Sequence, residues 1–261
     1  MKVLISASND FVKWLGLDLP RIPSLEGKRV GTQTITSDEN TLSWQCQALR
    51  EHSRSPVATV IAVEASSRYC IIFPNLLKMS MLEFEQELKR RWLKETLIMA
   101  VESGAVNNAD VNIMEKQFID TTMAFSWFKN TDLSVNGHVA DTEQWIRSGS
   151  VLHRINYLGE TEAFELAFQI NKNRKKVKIS TQKKLHERFV PVARLLDDAL
   201  FRFAQGLSPD KYPNIHTGNF PNPYQHYRTQ KNDKLVAHGQ IKETPSNIFY
   251  LNQAKGDTHD L

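Results

Sequence analysis

Cysteine is nearly absent: Cys46 and Cys70 are the only two in 261 residues. That is too few for the disulfide framework of a small secreted domain. No Cys/His spacing reads as zinc either, so no metal is expected. Long apolar runs are missing as well. The longest, residues 57–63 and 70–73, are strand-sized and far short of the roughly 20 residues a membrane-spanning helix needs. The opening residues carry an early lysine, a short apolar run and then polar residues, without the apolar stretch and small-residue cleavage site of a secretory leader. A cytoplasmic location and no membrane partner are expected. Four common catalytic signatures are also lacking: Gly-x-Ser-x-Gly, Gly-x-x-x-x-Gly-Lys-Ser/Thr, His-Glu-x-x-His and Gly-x-Gly-x-x-Gly. Their absence counts against the usual esterase, NTPase, zinc-protease and dehydrogenase classes, and no cofactor is expected. A nuclease, whose carboxylates are scattered, stays open.

What is present suits a globular chain. Hydrophobic residues make up 41% and charged residues 24%, and a chain of this length buries a sizeable core unaided. The expected fold is α+β, a small antiparallel or mixed sheet with packed helices. The expected division is a body over residues 1–170, a basic segment with a helix over 171–207, and an extended or partly disordered tail over 208–261. The tail holds five of the ten prolines, four of the eight histidines and four of the six tyrosines, with little periodicity.

Residues 2–6 read as a first strand, followed by a short helix over 9–17 that Pro20 and Pro23 end. Residues 25–54 are polar and irregular, a loop with a strand inside it. Residues 57–63 and 68–73, rich in β-branched and aromatic side chains, form a pair joined by a hairpin-length connection. Ser80 and Glu83 make a capping box, and Phe84, Leu88, Trp92 and Met99 follow at helical spacing until Gly104. A short helix is expected over 111–119 and a strand around Met123, Phe125 and Trp127. A further helix starts at Asp132 or Ser134 and reaches Ile146. Pro191 opens a last helix with Val192, Leu195, Leu196, Ala199 and Phe203 on one face.

Two stretches carry a resemblance. Val57-Ala-Thr-Val-Ile-Ala-Val63 with Arg68-Tyr-Cys-Ile-Ile-Phe-Pro-Asn75 resembles the strand pair of the domain of unknown function 6933 family, small bacterial proteins. Ser134, Val135, Gly137 and Asp141 resemble that family's Ser-Val-x-Gly-x-x-x-Asp signature, although Leu133 stands where the family often has Arg. The resemblance spans about residues 1–170. It implies an α+β fold and, since the family has no established activity, no particular chemistry.

Ser134, His138 and Asp141 are the candidate catalytic residues. Ser134 would cap a helix whose amides hold an anion, Gly137 would allow close approach, and His138 and Asp141 would share a face as an acid/base pair. The plainer reading makes Ser134 a cap, packs Gly137 on a strand and leaves the other two near the surface. Cys70, inside an apolar strand, reads as an inert thiol.

The strongest anomaly is charge. Residues 171–194 hold nine Lys/Arg against one acid, net +8 in a chain of net +4. Lys172, Arg174, Lys175, Lys176, Lys178, Lys183 and Lys184 are therefore candidate nucleic-acid contacts, with Asn171 and Asn173 among the neutral helpers. The leading expectation is a binding protein for DNA or RNA. The alternatives are an enzyme of hydrolase or nuclease type near residues 134–141, and an interaction module for an acidic protein partner.

Overall fold

The computed structural model describes residues 1–22, 31–103, 105–106, 110–149, 158–178 and 186–204. Gly104, Lys183, Lys184 and the tail lie outside the described residues. Strand β1 (Lys2–Ala7) pairs in parallel with β2 (Thr41–Leu49) on one side and with the edge strand β5 (Ala124–Lys129) on the other. Beyond β2 come β3 (Val57–Glu64) and β4 (Cys70–Leu77), each antiparallel to its neighbour, so the mixed sheet runs β4-β3-β2-β1-β5. The predicted hairpin of residues 57–63 and 68–73 is thus present, and the fold is α+β.

Strand alternation sends two apolar sets to opposite faces. Val3, Ile5, Leu42, Trp44, Val60, Ile71 and Phe73 meet one helical layer, while Ile61, Val63, Cys70 and Ile72 meet another. The first layer holds α1 (Asn9–Leu15), α2 (Met81–Glu102), α3 (Val111–Asp120) and α6 (Pro191–Phe203). The second holds α4 (Leu133–Gly149) and α5 (Glu160–Lys172). No helix among the described residues is long and apolar enough to cross a membrane.

Local chemistry accounts for the helix ends. Ser80 and Glu83 form the predicted capping box on α2, whose Leu88 and Trp92 are buried on the sheet. Helix α1 stops earlier than expected. Gly16 takes a left-handed φ of 72° and donates its amide to Val12, ending the helix before either proline. The α6 helix belongs to the core of the body rather than to an appendage. Its Phe203 ring packs 5.5 Å from Trp92 and 4.7 Å from Phe118. The basic segment folds as a small antiparallel ladder, β6 (Lys175–Lys178) against β7 (His186–Phe189).

Candidate functional site

The turn between β3 and β4 is organised from within by Glu64, which is 2% exposed. Its carboxylate accepts the Ser66 and Ser67 amides at 3.0 and 2.5 Å, the Ser67 hydroxyl at 2.6 Å, and the Ser37 hydroxyl. This spends its acceptor capacity on the turn and on the segment before β2. Arg68 follows in the left-handed region at φ 58°, a conformation costing a residue with a Cβ roughly 1–2 kcal/mol. Its side chain reaches the start of α4, where Nη2 donates to Ser134 Oγ at 3.1 Å. Arg68 is 8% exposed, and its Nε and Nη1 have no hydrogen-bond partner among the described residues. Burial pushes its pKa down; nearby Asp132 and Glu64 oppose that, while Arg194 adds to it.

The cap of α4 is Asp132, not Ser134. Asp132 Oδ1 accepts the amides of Ser134 and Val135 at 2.7 and 3.4 Å, and Oδ2 accepts the Ile35 amide at 2.9 Å. With those amides satisfied by a resident carboxylate, Ser134 sits inside the helix and serves Arg68. Gly137 makes no close approach either: a Cβ there would meet nothing within 4 Å. His138 lies against the body with Nδ1 buried and unpartnered. Burial first, then the Arg68 guanidinium and the Lys175 ammonium, lower its pKa from 6.5 to about 4. Asp141 is 60% exposed and stands 3.8 Å from Lys175 Nζ, with no hydrogen bond to His138. The fold therefore gathers Ser134 and His138 at Arg68 and leaves Asp141 outside.

The basic segment divides by orientation. Lys175 turns inward towards Asp141, and Lys172 lies over the Phe168 ring, its Nζ 3.6 Å from the centroid. Asn171 is not available as a neutral contact: wholly buried, it donates to Cys70 O at 2.7 Å and accepts the Cys70 amide at 2.8 Å. It thereby satisfies backbone groups of the edge strand β4. Arg174, Lys176 and Arg188 are exposed. Lys176 is the direct cross-strand partner of Arg188, and neither makes an ion pair among the described residues. Lys178 closes β6 opposite His186.

Cys46 and Cys70 are both buried and free, with burial raising both thiols, that of Cys70 to about 12. Among the described residues no group of three or more His, Cys, Asp or Glu side chains gathers closely enough to hold a metal. The sequence reading missed Arg68 as a site residue because its partner lies 66 positions away. Comparison with family models, with curated proteins and with solved structures finds no match to this chain.

Proposed function

We propose that this protein binds nucleic acid through the β6–β7 hairpin and its flanks. The observation that carries the reading is the pairing of Lys176 with Arg188 directly across the ladder, both exposed. Like charges in that position repel one another and destabilise the ladder. A phosphate placed between them turns repulsion into attraction and releases condensed counterions. Arg174 extends the same positive surface. Phosphate contacts of this kind fix position and carry no base information, so the proposed binding has little sequence preference.

The test is binding of the parent and a Lys176→Gln/Arg188→Gln variant to duplex and single-stranded probes across a salt series. The parent should show a steep salt slope, and each lost phosphate contact on duplex DNA should flatten it by roughly 0.9. The fold should be little affected, since solvated surface cations contribute within about ±0.5 kcal/mol. Equal binding by both proteins at every salt concentration would overturn the proposal. No binding of either probe at physiological salt would favour the acidic-protein partner instead. Membership of the domain of unknown function 6933 family is likewise proposed. Its support is that the two stretches carrying the resemblance touch, through Arg68 and Ser134.

A further inference from the structure

The adjacent parallel strands β1 and β5 send the chain to opposite faces of the sheet. After β1 it enters α1 in one helical layer, and after β5 it enters α4 in the other. Open α/β sheets bind ligands in the crevice that such a divergence leaves beyond the strands' carboxyl ends. Here that crevice is a cleft of about 500 Å³, its wall including Ala7, Arg21, Lys129, Thr131 and Leu133. The volume lies within the range of small-molecule sites, about 300–1,000 Å³.

The cleft is built rather than incidental. Asn130, 1% exposed, clasps Gln33 at two points: Oδ1 accepts its amide at 2.8 Å and Nδ2 donates to its carbonyl at 2.9 Å. The Asn130 carbonyl accepts Ser6 Oγ at 3.1 Å. On either side, the Lys129 amide donates to Pro20 O and the Thr131 amide to Gly31 O, each at 2.9 Å. Three chain segments are thus locked around the opening. Gly31 suits the wall through its backbone, whose φ of 86° residues with a Cβ rarely adopt.

The lining is chemically one-sided. Among the described residues it contains two cations, Arg21 and Lys129, and no carboxylate. Asp132, between the lining residues Thr131 and Leu133, spends its oxygens on backbone amides. Neither cation has an ion pair among the described residues. At the rim Leu133, an apolar side chain, is 71% exposed. Paired cations match a doubly charged anion, while the volume and Leu133 call for an organic body attached to it. From this arrangement we infer that the cleft binds a small organic phosphate, its phosphate held between Arg21 and Lys129 and its body resting on Leu133. The site shares no residue with the β6–β7 hairpin and stands whether or not that hairpin binds nucleic acid.

Calorimetric titration of the full chain with AMP, ribose 5-phosphate and inorganic phosphate tests it, with adenosine and ribose as uncharged controls. At least one organic phosphate should bind more tightly than inorganic phosphate, and the uncharged controls should not bind. Each lost charge-assisted contact weakens binding roughly ten-fold or more. Arg21→Gln/Lys129→Gln should therefore abolish the signal, Lys129→Arg should retain it, and Lys176→Gln/Arg188→Gln should leave it unchanged. Thermal melting of each variant separates a lost site from a lost fold. Absence of binding by any organic phosphate at about 10 mM, on the scale where affinity is worth under 3 kcal/mol, overturns the inference. So does equal binding by the parent and a folded cleft variant. Displacement of the bound phosphate by a single-stranded oligonucleotide overturns the small-molecule assignment and identifies a nucleic-acid phosphate as the occupant.

Discussion

His138 gives the protein a defined acid sensitivity. Its ring is held against the body with Nδ1 buried and unpartnered, and the cations Arg68 and Lys175 oppose protonation further, so its pKa falls from 6.5 to about 4. Protons consequently bind the unfolded chain more readily than the folded one between those values. The stability that the neutral ring contributes is fully present above about pH 6.5 and is lost as pH falls towards 4. At 1.36 kcal/mol per tenfold change, the difference is worth about 3 kcal/mol, trimmed to about 2–3 by solvent at the exposed part of the ring. Urea unfolding of the parent and of His138→Gln from pH 7.5 to pH 4 measures it. Both will lose stability from other groups, but the parent should lose about 2–3 kcal/mol more than the variant. Parallel curves would refute the reasoning, as would an NMR titration of the His138 ring with a midpoint between 6 and 7.

Three further outcomes are expected. Asp197→Asn should stabilise the protein by about 1–3 kcal/mol at pH 8 and hardly at all at pH 4, because burial first and Asp198 second raise its carboxyl to about 8, and neutral Asn imitates the favoured form. Melting curves at the two pH values check it, and an equal effect at both would contradict it. Leu88→Ala should cost about 2–5 kcal/mol in urea unfolding, since Leu88 is 0% exposed beneath α2; a loss of surface size would show that the helix buries another face. Arg91→Met should cost about 3–5 kcal/mol at pH 7 by orphaning the Glu95 carboxylate, which accepts from Arg91 at 2.8 Å and from Tyr69 at 2.7 Å. Adding Glu95→Gln should recover much of that loss, and a double variant no better than the single would refute the pairing.

Most helices were legible because their information is local, while α5 was not anticipated. Caps, a glycine stop or helical spacing within a dozen residues announced α2, α3 and α6. A strand was expected inside residues 25–54, and β2 is there, but its bounds were not legible. Its second face carries Ser43, Gln45 and Gln47, polar residues whose partners Ser37, Asp132, Asn136 and Glu143 mostly come from distant segments. Buried polar residues of this kind look like loop residues until the groups that satisfy them are known. The choice between Asp132 and Ser134 as the cap of α4 was likewise open, since both side chains suit that position. Arg68, expected at the head of a strand, lies instead in the left-handed turn before β4, with its guanidinium buried. The cleft was invisible for the same reason as the bounds of β2: Arg21 and Lys129 become neighbours only when residues 20–22 lie beside β5.

The placement of β1 between β2 and β5 makes the order of synthesis matter to this fold. Met1 donates its amino group to Thr122 O across 121 positions, and Arg202 reaches Met1 Sδ across 201. A ribosome adding about 5–20 residues per second emits that length in roughly 10–40 s. Strand β2 follows β1 early, β5 comes well into that interval, and α6 comes only at its end. Val3 and Ile5, at most 1% exposed in the folded protein, belong to the same core as α6. The core that β1 and α6 share therefore cannot close until α6 has been made.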